Sequence, residues 1–183
     1  MSLDAYLNRY EYASGDPMNY RDLLGLKPQI NWIPESEPAD VGDDGSLTLH
    51  EVWEWLPSEE NEFAIVAHGG SDHLSAFHRD ATPEQVWGEI QATDAWKELM
   101  KGKESRETVI KLWVCNTGVG GKDAYAQQLA NVSGHTVRAP DNVTYPVVFK
   151  KVMDGLVTFT ATFHIQQHGW HKPGAWIPFA PEK

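Results

Sequence analysis

The feature that most constrains this chain is a regular alternation of short apolar runs and helical segments between residues 62 and 140. Two of the runs close at glycine-bearing loops, EFAIVAHGG at 62–70 and TVIKLWVC at 108–115, and HTVRAP at 135–140 forms a shorter third run. Such runs are typical of buried strands, and strands that alternate with helices form parallel sheets through right-handed crossovers. The sequence therefore predicts an α/β fold, a mostly parallel sheet flanked by helices.

The segment between the first two runs carries the start signals of a helix. Thr82 is a candidate N-cap, followed by Pro83 at the first helical position and by Gln85 three residues after the cap. Val86 and Ile90 then lie on one face. This pattern predicts an amphipathic helix that packs on the sheet.

A second helix is predicted over residues 122–134, after the run that contains the cysteine. Gly134 is placed as its C-cap, and Ala124, Leu129 and Ala130 are able to face the sheet. The remaining elements have weaker patterns. They are a continuation or restart of the first helix over 94–100, a helix over 2–9, and strands over 29–33, 46–55, 155–163 and 175–179, the last two as a hairpin or an edge addition.

Length and composition indicate one globular domain spanning residues 1–183. Apolar residues make up 41% of the chain and charged residues 22%, which is the profile of a soluble protein. We expect an irregular segment over 1–46, the α/β core over 47–140 and additional strands over 141–183. The acidic patch at 35–44 is predicted to be a solvated loop or a flap.

Charge and hydropathy exclude several classes of function. The 15 Lys and Arg residues against 26 Asp and Glu residues give a net charge of −11 without a basic stripe, so no nucleic-acid partner is expected. No apolar stretch approaches the roughly 18 residues of a membrane span, and the N-terminus lacks the apolar core of a cleaved signal. We therefore expect a protein without a membrane span, cytoplasmic or secreted without a cleaved signal peptide. A single cysteine cannot form an internal disulfide.

Two residues with chemical potential, His68 and Cys115, stand at the ends of predicted strands. Ligands of open α/β sheets bind outside the carboxyl ends of the strands, so both side chains are expected on the same rim. If the two strands are neighbours, the side chains come within hydrogen-bonding or single-water reach, as a nucleophile and its base require. This pattern points to nucleophilic catalysis by the thiol.

The surroundings of Cys115 favour such a role in two ways. A free thiol has a pKa of about 8.5, and both an imidazole and a helix N-terminus favour the reactive thiolate. The helix beginning near Lys122 is expected to direct its dipole and amides toward the sulfur. The backbone amides of Gly69 and Cys115 are candidates to hold the oxyanion of a tetrahedral intermediate.

Other interpretations of these residues remain open. Cys115 can be a small buried hydrophobic residue and His68 a strand-end histidine bonded to backbone. A metal site is the main chemical competitor, although neither histidine spacing is a strong zinc signature. The two sets are His68, His73 and His78, and His164, His168 and His171. The glycines at 118, 120 and 121 lack the Gly-Lys-Ser/Thr ending of a phosphate loop.

The two motifs FAIVAHGG and VIKLWVCNTG together resemble those of the caspase-like cysteine peptidases, which include caspases, clostripain, gingipains and the self-processing protease domains of large bacterial toxins. Their shared pattern is an apolar strand ending in His-Gly and a later apolar strand ending in the catalytic cysteine. The run from CNTG to HTVRAP is similar to bacterial toxin- and effector-associated members. The resemblance covers residues 62–140, and WVCNTG at 113–118 departs from the Gln-Ala-Cys-x-Gly pattern of caspases, so no substrate preference is transferred.

The resemblance implies a caspase-like three-layer sandwich and a cysteine endopeptidase that needs no cofactor. Cys115 would be the nucleophile and His68 the base or proton donor, acting on a protein or peptide substrate. We expect Asn116 and Thr117 beside the substrate. Glu51 and Asp72 are positional candidates for a third residue that orients His68, with neither favoured.

The resemblance also implies a bacterial effector or toxin domain, for which a cognate inhibitor or immunity protein is a candidate partner. A protease that acts inside its own cell, or a domain cut from a larger polypeptide, fits the sequence equally well. Two alternatives belong to other classes of function. One is a catalytically silent binding module, which an exposed patch of tryptophans beside the acidic loop would support. The tryptophans concerned are Trp53, Trp55, Trp87 and Trp96. The other alternative is a histidine-ligated metal hydrolase.

Overall fold

The computed structural model describes residues 28–39, 47–57, 59, 61–76, 79–103, 107–153, 156–166 and 174–182. The helix predicted over 2–9 lies outside these residues. In chain order the elements are β1 (Ile30–Asn31), α1 (Leu49–Trp53), β2 (Glu62–Val66), β3 (His68–Gly69), β4 (Leu74–Ala76), β5 (Arg79–Ala81), α2 (Pro83–Ala92), α3 (Asp94–Leu99), β6 (Val109–Trp113), α4 (Tyr125–Ser133), β7 (Thr136–Pro140), β8 (Val143–Met153), β9 (Leu156–Gln166) and β10 (Trp176–Phe179). A single 3-10 turn over Gly121–Asp123 precedes α4.

The central sheet has the strand order β1-β2-β6-β7-β10. β1, β2, β6 and β7 run parallel, and β10 is antiparallel beside β7. Helices connect the parallel strands, as the alternation of apolar runs and helical segments predicts. The α/β class with a mostly parallel sheet is therefore confirmed. Two smaller antiparallel sheets, β3-β4-β5 and the hairpin β8-β9, accompany it.

One face of the central sheet packs against α2, α3 and α4. Alternate side chains of the strands point to this face and are fully buried, among them Phe63, Ile65, Ile110 and Leu112. Because successive residues of a strand face opposite sides, the residues between them belong to the other face. This helical face holds the larger of the two hydrophobic clusters.

The opposite face is covered by α1 and the base of the β8-β9 hairpin. Val66 and Trp113 point to this side and pack with Trp53 of α1. Phe163 of β9 lies on the same cluster, with its ring centroid 5.1 Å from that of Trp53 and 6.0 Å from that of Trp113. The sheet is thus enclosed on both faces where its central strands lie.

The predicted helix signals on the helical face are confirmed. Thr82 caps α2 in a capping box with Gln85, and Val86 and Ile90 are buried. Residues 94–100 restart rather than continue the helix, because Thr93 caps the separate helix α3. At the other helix, Gly134 takes the left-handed conformation at the C-cap of α4, with a φ of 74°.

Two predicted elements differ in the structure. Residues 46–55 were expected to form a strand, but Thr48 and Glu51 form a capping box that starts α1. The strands expected near the end of the chain are present as β9 and β10; they do not form a hairpin with each other, whereas the predicted edge addition is confirmed for β10. β9 pairs instead with the unpredicted strand β8, and β10 adds to the edge of the central sheet. Within the described part of the chain, no helix is both long and apolar enough to cross a membrane.

Candidate functional site at the carboxyl edge of the sheet

The pairing of β2 with β6 brings the two predicted catalytic positions to one place. The strands are adjacent and parallel, with Val66 opposite Trp113 as the last registered pair. His68 and Cys115 each lie two residues beyond this pair. Val66 and Trp113 are separated by the same number of residues in sequence as His68 and Cys115. The two residues therefore stand at the same level of the carboxyl edge.

Gly69 keeps the ends of the two strands close together. A β-carbon at this position would lie 2.5 Å from Val114 Cγ1 and 2.7 Å from the His73 carbonyl oxygen. Val114 is fully buried and directly precedes Cys115. The backbone next to His68 thus packs against the side chain of Val114, the residue before Cys115, and only a residue without a side chain allows this approach.

His68 makes its hydrogen bond to a carboxylate on the other side of β2. Its Nε2 lies 2.7 Å from Oε2 of Glu37. The imidazole is half-exposed and the carboxylate 30% exposed. The backbone of His68 forms β3 and pairs with Ser75 of β4. The ring is therefore attached to a small antiparallel sheet and oriented by one acidic side chain.

Glu37 lies between β1 and α1, and both of its backbone groups are held. Its amide donates to the Pro34 carbonyl at 3.0 Å, and its carbonyl accepts from the Leu49 amide at 2.8 Å. The adjacent Pro38 forms an isolated bridge with Thr48. Glu37 was not among the predicted site residues, because the patch at 35–44 was predicted to be solvated. No local pattern in the sequence indicates a contact between residues 31 positions apart.

The two acidic residues expected to orient His68 have other partners. Glu51 accepts the backbone amide of Thr48 at 2.8 Å as part of the α1 cap. Asp72 lies 2.9 Å from Nδ1 of His73. That hydrogen bond to His73 lowers the pKa of the Asp72 carboxyl below its usual value. Neither carboxylate forms a described hydrogen bond with His68; the carboxylate that does is that of Glu37.

The thiol of Cys115 is half-buried against the first residues of β8. Its Sγ lies 3.8 Å from the carbonyl oxygen of Thr144 and 3.8 Å from the hydroxyl oxygen of the same residue. In the described part of the chain, the hydrogen bond of His68 goes to Glu37 and that of the thiol to Thr144. The two side chains thus stand at neighbouring strand ends with separate partners.

The loop after Cys115 is fixed to the end of β7. Asn116 has a φ of 57°, which turns the chain sharply, and its amide donates to the Asn142 carbonyl at 2.9 Å. Thr117, expected beside the substrate, is instead fully buried, and its hydroxyl donates to the Val114 carbonyl at 2.9 Å. Of the two residues expected beside the substrate, only the half-buried Asn116 presents a side chain at this edge.

The first turn of α4 joins the two site loops. The amide of Tyr125 donates to the Ser71 carbonyl at 3.0 Å, and the amide of Ala126 donates to the Thr117 carbonyl at 3.1 Å. These amides were expected to be directed at the sulfur of Cys115. They are occupied by backbone carbonyls, so α4 acts as a clamp between the loop after His68 and the loop after Cys115.

The predicted oxyanion donors are the amides of Gly69 and Cys115. Outside the strand ladders, the described loop hydrogen bonds are donated by the amides of the residues that follow these two, Gly70 and Asn116. Gly70 donates to the His73 carbonyl and Asn116 to that of Asn142, at 3.0 and 2.9 Å. The roles of the Gly69 and Cys115 amides stay predictions.

The metal and tryptophan alternatives find no assembled site in the described residues. No three His, Cys, Asp or Glu side chains gather there in a way that could hold a metal ion. His78, His168 and His171 lie outside the described residues. Trp53 and Trp96 are both buried, in separate clusters on opposite faces of the sheet. Within the described residues, the four tryptophans therefore do not form one exposed patch.

A family model described as a domain of unknown function, DUF8616, matches residues 29–157, more than two thirds of the chain. The chain belongs to the DUF8616 family. No curated protein and no solved structure matches it. The DUF8616 domain includes Glu37, His68, Cys115 and Thr144, so the whole edge described above lies within the family's boundaries.

Proposed function

We propose that this DUF8616 domain is a cysteine hydrolase of the caspase-like type, which cleaves a peptide or related amide bond with Cys115 and His68. The observation that carries the proposal is the register of β2 with β6, which sets a histidine and the chain's one cysteine at the same level of neighbouring parallel strands. The mostly parallel sheet, enclosed on both faces, supports the caspase-like fold that the two motifs imply. That the domain belongs to a bacterial effector or toxin stays a prediction.

The reaction follows from the chemistry of the two side chains. The thiol gives its proton to His68, and the sulfur of Cys115 attacks the carbonyl carbon, so that a carbon–sulfur bond forms. The oxyanion that develops is held by backbone amides, with those of Gly69 and Cys115 as candidates. His68 then gives the proton to the leaving amine, the carbon–nitrogen bond breaks, and water releases the acyl group from sulfur.

The approach of the two side chains requires the thiol to leave Thr144. The thiol turns about a single torsion, χ1, and its contacts with Thr144 are long. Gly69, next to His68, already packs against the side chain of Val114, next to Cys115. Substrate binding beside Asn116 would accompany the turn of Cys115 from Thr144 toward His68.

The test is the rate at which a small thiol reagent, iodoacetamide, alkylates Cys115 across the pH range. Because the thiolate is the species that reacts, coupling to His68 speeds alkylation at slightly acidic pH. We expect the rate at about pH 6.5 to fall about tenfold in His68→Ala. His73→Ala is the matched control, since His73 is a partly exposed histidine on the next loop with its own carboxylate, and its rate should equal that of the parent.

Equal alkylation rates in the parent and His68→Ala would exclude the dyad. A second candidate function would then be preferred, a silent module of the same fold that binds a partner. The observation that favours it is the present pairing of the thiol with Thr144. Where the dyad is confirmed, new protein N-termini in a proteome treated with the parent, and absent with Cys115→Ser, identify the substrate bond.

A further inference from the structure

We propose that Glu37 is the positioning residue of this site, which fixes the ring of His68 and determines the nitrogen that acts as base. The inference rests on the proposed function and adds a third member to the site. The distance of 2.7 Å between Glu37 Oε2 and His68 Nε2 is within the range of charge-assisted hydrogen bonds. Glu37 lies 31 residues before His68 and belongs to a different element of the fold.

The chemistry of the pair fixes the tautomer of the histidine. An ionised carboxylate only accepts hydrogen bonds, so Nε2 of His68 must carry a hydrogen. In the neutral ring Nδ1 is then the nitrogen with a free lone pair. Nδ1 is therefore the atom that takes the proton from Cys115 and later gives it to the leaving amine. The imidazolium formed in between is stabilised by the negative charge of Glu37.

The support of Glu37 separates this contact from a chance surface pair. Its backbone is held on both sides, by Pro34 and by the Leu49 amide at the start of α1. A carboxylate on a free loop would lose side-chain and backbone freedom on pairing, and such pairs contribute little. The backbone of Glu37 is already ordered, so only its side chain loses conformational freedom when it binds the ring.

The nearby pair of Asp72 and His73 provides a comparison within the same molecule. It joins a carboxylate to an imidazole at 2.9 Å, close to the distance in the Glu37 pair. Asp72 and His73 are adjacent in sequence, and the Asp72 side chain is almost fully exposed. No described contact connects this pair with Cys115. Removing it should leave the site unchanged.

The experiment compares the full chain with Glu37→Gln, Glu37→Ala and Asp72→Asn. The first readout is the nitrogen chemical shifts of the His68 ring, which report the tautomer without any need for activity. We expect one tautomer with hydrogen on Nε2 in the parent and in Asp72→Asn, and a mixture in Glu37→Ala. The second readout is alkylation of Cys115 at about pH 6.5, which should slow about threefold to tenfold in both Glu37 variants and not in Asp72→Asn.

The outcomes separate this inference from the proposed function. Hydrogen on Nδ1 in the parent, or the same tautomer in the parent and Glu37→Ala, would overturn the role of Glu37. If the tautomer differs between the parent and Glu37→Ala, but Cys115 is alkylated as slowly in the parent as in His68→Ala, the Glu37 pair is confirmed and the dyad is rejected. Glu37→Gln keeps the size of the side chain, so a change in its tautomer is not explained by misfolding if its circular dichroism matches that of the parent.

Discussion

At the scale of single residues, the site depends on a position that has no side chain. Gly69 stands between His68 and the loop that follows, and it contacts both Val114 and the His73 carbonyl more closely than any β-carbon would permit. Val114 is fully buried in the larger hydrophobic cluster, and close-packed interiors leave a side chain little room to move. The close approach of the segment that follows His68 to Val114 therefore depends on the glycine.

Gly69→Ala should destabilise the protein because the new methyl group overlaps Val114 Cγ1. Overpacking of this kind costs about 1–3 kcal/mol of the free energy of unfolding. Gly88→Ala is the control, since Gly88 lies within α2 and a β-carbon there meets nothing within 4 Å. That substitution should stabilise by about 0.5–1 kcal/mol through helix propensity. Urea unfolding measures both, and a Gly69→Ala variant as stable as the parent would contradict the packing argument.

The residues of the site differ in how far the sequence could predict them. His68 and Cys115 end runs of apolar residues, and strand ends in a parallel sheet share one edge, so their placement could be predicted. Glu37 could not, because its contact depends on how the segment after β1 folds over the sheet. The burial of Thr117 depends in the same way on the attachment of its loop to β7 and α4.

At the scale of elements, residues 46–55 show how two patterns compete. Their alternation of apolar and polar residues predicts a strand. They also contain Thr48 and Glu51 in the spacing of a capping box, and the box prevails in α1. One turn of helix buries Val52 and Trp53, with Trp53 in the second hydrophobic cluster, and directs the Leu49 amide to the carbonyl of Glu37. The burial gained and the carbonyl satisfied favour the helix.

Thr48→Ala should therefore affect both stability and the site. Loss of an N-cap costs about 1 kcal/mol of the free energy of unfolding. It also loosens the start of α1, which holds Glu37, so alkylation of Cys115 at about pH 6.5 should slow about twofold to threefold. Thr82→Ala removes the equivalent capping box of α2 and should cost about the same stability without slowing alkylation. Equal alkylation rates in the two variants would show that α1 does not support the site.

The β8-β9 hairpin is the element that the sequence predicted least well. Its second strand could be predicted from alternating residues, but β8 contains Pro146 and a mixed pattern, and its pairing with β9 is specified only by the full register of the two strands. The hairpin base nevertheless completes the fold, because Phe163 covers Trp53 and Trp113. The same base presents Thr144 to the thiol.

At the scale of the whole molecule, Tyr125 joins parts that are far apart in sequence. It is buried at the start of α4, its hydroxyl donates to the Ala81 carbonyl at 3.0 Å, and its amide donates to Ser71. The helix, the small antiparallel sheet and the loop after His68 therefore meet at one residue. Burial raises the pKa of the Tyr125 phenol above its usual value, and the nearby Glu84 carboxylate adds to the effect.

Because the pKa of Tyr125 is raised, the free energy of unfolding depends on pH in the alkaline range. Above about pH 10 the unfolded chain releases the phenol proton while the folded chain retains it, so the free energy of unfolding falls as pH rises. Tyr125→Phe lacks that proton. At about pH 8 the variant should be less stable by about 1–3 kcal/mol, because the Ala81 carbonyl loses its buried donor. From about pH 9 to about pH 11 the difference from the parent should shrink, as the parent alone loses the contribution of its neutral phenol. Urea unfolding of both proteins across this range measures the difference, and a constant gap would mean that Tyr125 ionises as readily in the folded protein as in the unfolded chain.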